Sequence, residues 1–250
     1  MEIFIAKSPS SKNSLNMALV ATSLPVNVLI LGEIGVGKRA LTYSVSSNAS
    51  SYNIKEIEDL IREKKFNFDL VSELIIFNID KAVNLMQLLE LCEIHNIRLI
   101  ATATSYRESF KEKFLVRIDI PPLSERLEDI EALKKLYLSD AKKLFSVDEI
   151  DENKLIIDLS QNAKSLRRSI YQSVSVYSMN KDDIFTFIEQ ILSQKMEKTK
   201  TYKELLELFE IPLLQAAKKR FKSQVKMADN LDINRNTLRK KILQYGLDNA

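Results

Sequence analysis

A single cysteine, Cys92, stands in 250 residues. No disulfide can form within the chain, and a reducing compartment is expected. No apolar run approaches the ~20 residues that a membrane-spanning helix needs. The first residues lack a basic flank ahead of a long apolar core, which argues against a signal peptide and for the cytoplasm. The one histidine, His95, lies between an apolar helical pattern and a strand pattern. It reads as a surface or capping residue, not a ligand. No internal repeat is visible, and the polar stretch Ser44–Ser51 reads as loop. Net charge is small, with 37 Lys and Arg against 34 Asp and Glu leaving +3. Glycine is scarce, four in all, and three of them are Gly32, Gly35 and Gly37. What remains is an ordinary soluble composition, 45% hydrophobic and 28% charged, enough for one to two domains.

The clustered glycines follow the apolar run Val28–Leu31, which suits a parallel strand buried on both faces. They precede Lys38 and a helical pattern. Glycine permits the backbone angles that turn successive N–H groups inward around a phosphate. Lys38 would reach the outer phosphates, and the helix start adds its dipole. This is a phosphate loop in strand-to-helix context, with Gly32, Glu33, Gly35, Gly37, Lys38, Arg39 and Ala40 as candidate nucleotide contacts. Arg39 stands where a Ser or Thr usually holds magnesium.

The chain's positive charge is concentrated at its end. Residues 201–250 carry ten Lys and Arg against six Asp and Glu, a net +4, so the preceding 200 sum to −1. Gln224–Gly246 contains two short helical patterns joined by Leu231-Asp232-Ile233-Asn234. Val225, Ala228 and Leu231 make one apolar face; Ile233, Leu238, Ile242 and Leu243 make another. That is the outline of a helix-turn-helix, whose second helix can enter a DNA major groove. Asn234, Arg235, Asn236, Thr237, Arg239, Lys240 and Lys241 supply donors for phosphates and base edges. The bland alternative is a helical bundle with a solvated basic face; the clustering of donors favours DNA.

The string Asp232-Ile-Asn-Arg-Asn-Thr-Leu-Arg-Lys-Lys-Ile, followed by Tyr245-Gly246, carries a resemblance. Tyr202–Leu247 resembles the C-terminal domain of Fis-type DNA-binding proteins, and the same domain at the end of NtrC-type enhancer-binding activators. The resemblance implies that the helices before the motif pair with a second chain. Leu205, Leu206, Phe209, Leu213, Leu214 and Ala217 supply the apolar stripe for that role or for the local core. It places Asn234, Arg235, Thr237, Arg239 and Lys240 at the DNA, with Ser223, Gln224 and Lys226 at the backbone. The family often has Gly-Asn where this chain has Lys222-Ser223.

The front of the chain resembles the NtrC-type AAA+ domain, with departures. The family's loop, Gly-Glu-x-Gly-x-Gly-Lys-Glu, also lacks a hydroxyl after the Lys. Its opening loop and helix cover the adenine, a role that Ile5–Ser10 and the helix holding Met17, Ala18 and Val20 would take. Its second strand ends in Asp-Glu; Leu74–Phe77 continues here into Asn78-Ile79, with Asp80 beyond. Ile can neither polarise water nor accept its proton. Arg98–Thr104 resembles the sensor strand, with Thr102 or Thr104 near the terminal phosphate. Arg107 and Arg117 lack the context of the family's arginine fingers. Pro121-Pro-Leu-Ser-Glu-Arg-Leu-Glu-Asp-Ile resumes the pattern and marks the join to a lid. Lys164 stands at the sensing Arg of that lid. The Gly-Ala-Phe-Thr-Gly-Ala loop that engages the sigma-54 form of RNA polymerase has no counterpart.

Together these readings predict an α/β P-loop, AAA+-like core with a parallel sheet over 1–122, a small helical lid over 123–195, and an all-α Fis-type helix-turn-helix domain over 201–250. They predict a sequence-specific DNA-binding transcription regulator that binds ATP or ADP at the loop, Asn78, Asp80, Thr102 and Lys164, with weak or no hydrolysis. Magnesium is disfavoured, and no residue is assigned to catalysis or to a metal. The expected partners are double-stranded DNA, a second copy through the C-terminal helices, and RNA polymerase or another regulator, with no membrane. The alternatives are an ATP-hydrolysing sigma-54 activator, a DNA-organising Fis-like protein with a vestigial scaffold, and an assembly module without DNA.

Overall fold

The computed structural model describes residues 3–196, 201–221 and 223–248. The chain divides into two compact units, Met1–Ser178 and Met179–Ala250. The first unit runs α1 (Pro9–Ala21), β1 (Val28–Leu31), α2 (Lys38–Val45), β2 (Ser50–Asn53), α3 (Ile54–Arg62), β3 (Glu73–Phe77), α4 (Leu85–Ile94), β4 (Arg98–Ala103), β5 (Val116–Asp119), α5 (Leu127–Phe145) and α6 (Asn162–Ser178). The five strands form one sheet in the order β2-β3-β4-β1-β5. All neighbours are parallel, with Leu29 opposite Ala101 and Arg117, and Ile75 opposite Ile100.

Strand alternation sorts the side chains into two cores. Leu29, Leu31, Leu74, Ile76, Leu99 and Ala101 face α3 and α4, meeting Ile57, Leu85, Leu88 and Cys92. Val28, Ile30, Ile75, Phe77 and Ile100 face α1 and α2, meeting Ala18, Ala21, Leu41 and Val45. Both faces are covered, which is why β1 is buried throughout and reads as an unbroken apolar run. Burial pushes the Cys92 thiol up to about 12, so it behaves as a small hydrophobe. His95 caps the C-terminus of α4, with its Nδ1 2.9 Å from Asp69.

Two local readings change. The Ser/Asn stretch is not all loop: α2 runs to Val45, and Ser50 and Ser51 begin the edge strand, paired with Leu74 and Ile75. A sheet edge uses only backbone groups, so polar side chains do not forbid it. The second apolar strand ends at Phe77. Asn78 takes a left-handed conformation (φ 60°), and Ile79–Lys81 form a single 3-10 turn. Asn tolerates that region where most residues do not.

After β5 the chain enters a helical layer in the same unit. Leu133, Leu138 and Ala141 of α5 pack with Leu166, Ile170 and Val174 of α6, around Leu123 and Leu155.

The second unit contains α7 (Lys181–Met196), α8 (Tyr202–Arg220), α9 (Gln224–Asn230) and α10 (Arg235–Gln244). A capping box starts α8: Thr201 Oγ1 accepts from Glu204 N, and Glu204 Oε2 accepts from Thr201 N at 2.8 Å. The core comprises Leu214, Ala217, Met227, Ala228, Leu238, Ile242 and Leu247. Two residues assigned to the apolar faces lie outside it: Val225 is 39% and Leu243 56% exposed. Met227 is buried beside Ala228 where Val225 was expected, because positions 225 and 227 lie on nearly opposite faces of α9 and it is the Met227–Ala228 face that meets α8 and α10.

Candidate phosphate loop and nucleic-acid interface

The phosphate loop is built by three elements. β1 delivers the chain at Leu31, and Gly32 N donates to Ala103 O at 3.3 Å, pinning the loop to the end of β4. Gly35 (φ +84°) and Gly37 (φ +103°) then take left-handed conformations, and Gly37 is the N-cap of α2. A Cβ on Gly37 would meet the Phe4 ring at 3.0 Å, and one on Gly35 would lie 2.1 Å from Gln161 O. Gly35→Ala should therefore cost about 2–4 kcal/mol, the left-handed penalty plus displacement of the α6 start. Urea denaturation checks this; an unchanged midpoint would show that the approach to Gln161 is not tight.

Asn162 (φ 54°) holds the start of α6 onto the loop. Its Nδ2 donates to Glu33 Oε2 and Ile34 O, both at 3.0 Å, and its Oδ1 accepts from Leu123 N at 2.6 Å. Ala163 N donates to Gly35 O at 3.1 Å. Arg126, 2% exposed, donates to Val36 O at 3.0 Å and pairs with Asp129 at 3.4 Å. Asp129 Oδ1 accepts from Lys7 N and, at 2.9 Å, from Ser8 N. Burial lowers the Arg126 pKa, opposed by Asp129. The opening segment, the loop and α5 are thus tied through one buried ion pair. Arg126, Asp129 and Asn162 were not among the candidate residues, although Arg126 and Asp129 stand in the Pro121–Ile130 string and Asn162 two residues before Lys164.

Lys38 Nζ donates to Gly32 O and, at 2.7 Å, to Glu33 O. Its pKa is lowered by burial, against the pull of Asp80 and Glu33 and with Lys81 adding to the fall. Arg39 is exposed, with its guanidinium 4.3 Å above the centroid of Phe77. Ala40 packs its side chain into the core, so a contact from it to phosphate would come through its backbone N–H. Thr102, 2% exposed, uses its hydroxyl to accept from Asn78 N at 3.0 Å. Asp80 is buried; its Oδ2 accepts from Thr104 N at 3.1 Å, Ser105 N at 3.2 Å and Ser105 Oγ at 3.2 Å. Lys164 flanks Gly35, its Cβ 3.2 Å from where a Gly35 Cβ would stand. Among the described residues, the buried side-chain polar atoms without a partner are Ser8 Oγ, Asp80 Oδ1 and Arg126 Nε. Arg126 is tied to the loop through Val36 O, and Asp80 lies near enough to Lys38 to act on its charge.

In the second unit, Ser223 Oγ caps α9 by accepting from Lys226 N at 3.4 Å. The turn passes through Asp232 (φ 50°). Asn234 Oδ1 caps α10 by accepting from Asn236 N at 2.8 Å. Leu238 and Ile242 point α10 inward. Arg235, Asn236, Thr237, Arg239 and Lys240 are left exposed, as are Gln224 and Lys226 on α9. Lys222 lies outside the described residues.

Lys241 is a correction. Its Nζ is 2.5 Å from Glu210 Oε1 on α8, and Tyr245 Oη donates to the other Glu210 oxygen at 2.6 Å. It lies on the flank of α10 that turns toward α8, so it clamps the domain and is not offered to phosphate. Hydrogen bonds from Lys241 and then Tyr245 hold the Glu210 carboxyl below its ordinary value, and the bond to Glu210 pushes the Tyr245 phenol up to about 12. A depressed carboxyl stabilises the fold above its unfolded value, 4.5, and that contribution is lost as pH falls through the folded value. Melting of the second unit should therefore be more acid-sensitive in the native chain than in Glu210→Gln, as followed by circular dichroism. Equal sensitivity would show the clamp to be weak.

Residues 205–245 match the model of bacterial regulatory proteins of the Fis family. Comparison with curated proteins found no match. Among solved structures, the chain is similar to NtrX from Brucella abortus. With the ATP complex it shares 15% identity at TM-score 0.59, over 98% of this chain and 70% of that one. With NtrX processed without a named nucleotide the values are 14%, 0.60, 97% and 69%. With the ADP complex they are 14%, 0.55, 97% and 69%. No helix among the described residues is long and apolar enough to cross a membrane. Residues 205–245 thus form a helix-turn-helix that matches the Fis-family model, and the chain as a whole is similar in fold to NtrX.

Proposed function

We propose that the chain is a sequence-specific regulator of transcription that grips double-stranded DNA with α10 and senses ATP or ADP at the phosphate loop. The observation that carries the DNA reading is the exposed set Arg235, Asn236, Thr237, Arg239 and Lys240 on a helix whose opposite face is buried. The N-terminal residues of such a helix meet base edges, and the preceding helix lies over the backbone. Lys226 and Gln224 are placed for that second task.

The nucleotide reading rests on the left-handed glycines, Lys38 and the unpartnered polar atoms of Asp80 and Arg126. Hydrolysis is weak or absent in this reading, because Ile79 is fully buried where a water-activating acid would stand. The three-part division into 1–122, 123–195 and 201–250 belongs to the proposal, as do the cytoplasm and the engagement of polymerase or another regulator. A dimer also belongs to it. No residue of α7 is buried, and α8 leaves Leu208, Phe209 and Leu213 exposed.

The testing experiment is a duplex-binding titration across salt, with phosphate release followed in parallel. On α9 and α10 the exposed cations are Lys226, Arg235, Arg239 and Lys240; with the two lysines on phosphates and the two arginines at base edges, a dimer gives a slope of about −4. A flat salt response would remove the DNA reading, and brisk turnover would restore the ATPase alternative.

A further inference from the structure

In phosphate-loop sites magnesium is held from two places: the hydroxyl residue after the loop lysine, and an aspartate at the end of a nearby strand. Neither is present here. The first position is Arg39, and β3 ends in Phe77-Asn78-Ile79. Ile79 is fully buried. Asn78 has turned left-handed, with its N–H donated to Thr102. Among the described residues no group of three or more His, Cys, Asp or Glu is disposed to hold a metal ion. Asp80 is the one carboxylate close enough to raise the pKa of Lys38 from the strand end, and one of its oxygens already fastens Thr104 and Ser105. Asp80 Oδ1, which has no partner, is then the one carboxylate oxygen left from the strand end, with no hydroxyl after Lys38 to share an ion with it, a poor donor set for a hydrated magnesium.

Arg39 instead stands at the first of those positions and reaches the end of the strand that would carry the second. It starts in the first turn of α2, and its guanidinium lies 4.3 Å above the Phe77 ring, at the last residue of β3. The aromatic face holds the cation there. Lys38 and Lys164 flank the same loop. A guanidinium stays protonated, is weakly hydrated, and presents paired N–H groups to phosphate oxygens. It can offset polyphosphate charge without the carboxylates that a divalent ion needs.

We propose that Arg39 takes the place of the divalent cation, so that this site binds a nucleoside polyphosphate without magnesium. The inference rests on the nucleotide reading above and deepens it: the ligand is free nucleotide, not its metal complex. A site neutralised by a fixed side chain would also have no metal-bound oxygens to lose, so occupancy would follow nucleotide concentration and not magnesium.

The test is a titration of the full chain with a fluorescent ATP analogue, in EDTA and in excess magnesium. For the native chain the two dissociation constants should agree within about twofold. Arg39→Ser should weaken binding in EDTA by about tenfold or more, the worth of a charge-assisted hydrogen bond, and magnesium should restore part of it through the new hydroxyl. Binding by the native chain only in magnesium would overturn the inference while leaving the nucleotide reading intact. So would an Arg39→Ser variant with unchanged affinity in EDTA. No binding in either buffer would overturn both. Arg39 is exposed, so unchanged ligand-free melting of Arg39→Ser separates a binding defect from misfolding.

Discussion

Replacing Arg235 and Arg239 together by alanine should abolish discrimination between a preferred duplex and a scrambled one, while the fold survives. The two lie one turn apart, at i and i+4, on the exposed face of α10, so they can read neighbouring base pairs in one groove. A bidentate arginine–guanine pair discriminates by about 1–3 kcal/mol, so losing two should cost roughly a hundredfold or more in specific affinity. Non-specific binding should fall much less, since Lys226 and Lys240 remain. Exposed substitutions of this kind change stability by about 0.5 kcal/mol or less, so melting serves as the control. Lys226→Ala makes the contrast: all duplexes should weaken alike, with the salt slope falling by about 0.9 for each phosphate no longer neutralised. Equal weakening on every sequence for the arginine pair would place α10 on the backbone instead of the bases.

The second large effect concerns assembly. Phe209→Glu combined with Leu213→Glu should convert the proposed dimer into a folded monomer. Phe209 is 37% and Leu213 53% exposed, on successive turns of α8, while only Leu214 and Ala217 of that helix are buried. On α7, Ile184, Phe185 and Phe187 are likewise exposed. So small a domain buries little surface alone, and a second copy would supply what is missing. A carboxylate buried in that interface without a partner is strongly unfavourable. Sedimentation should show half the native mass. Affinity for a two-half-site duplex should drop by about 10²–10⁴, because the second half-site is no longer presented at high effective concentration. Affinity for a single half-site should hardly change. A variant that still sediments as a dimer would remove α8 from the interface.

Much of this was legible in the chain order of residues. The β1 run and the three glycines before Lys38 specify a strand, a tight turn and a helix start through local backbone preferences. The two short helical patterns of Gln224–Gly246, joined by a brief polar break, specify the second motif in the same way. Such signals act within a few residues, so they survive without knowledge of the fold.

The side-chain partners were not legible. Lys241 looked like one more cation on a basic helix, yet Glu210, 31 residues earlier, holds it at 2.5 Å. Val225 and Met227 were exchanged between surface and core for the same reason: helical period gives a face, but neighbouring helices decide how much of it is covered. The sequence by itself determined the β1 strand, the phosphate-loop turn and the cationic second helix, because these follow from local torsional preference and periodicity. Only the tertiary structure decided which cations are paired and which are free. It turned Asn78 away, buried Asp80 and Arg126, and laid Arg39 across Phe77, since charge pairing and burial depend on groups brought together from distant parts of the chain.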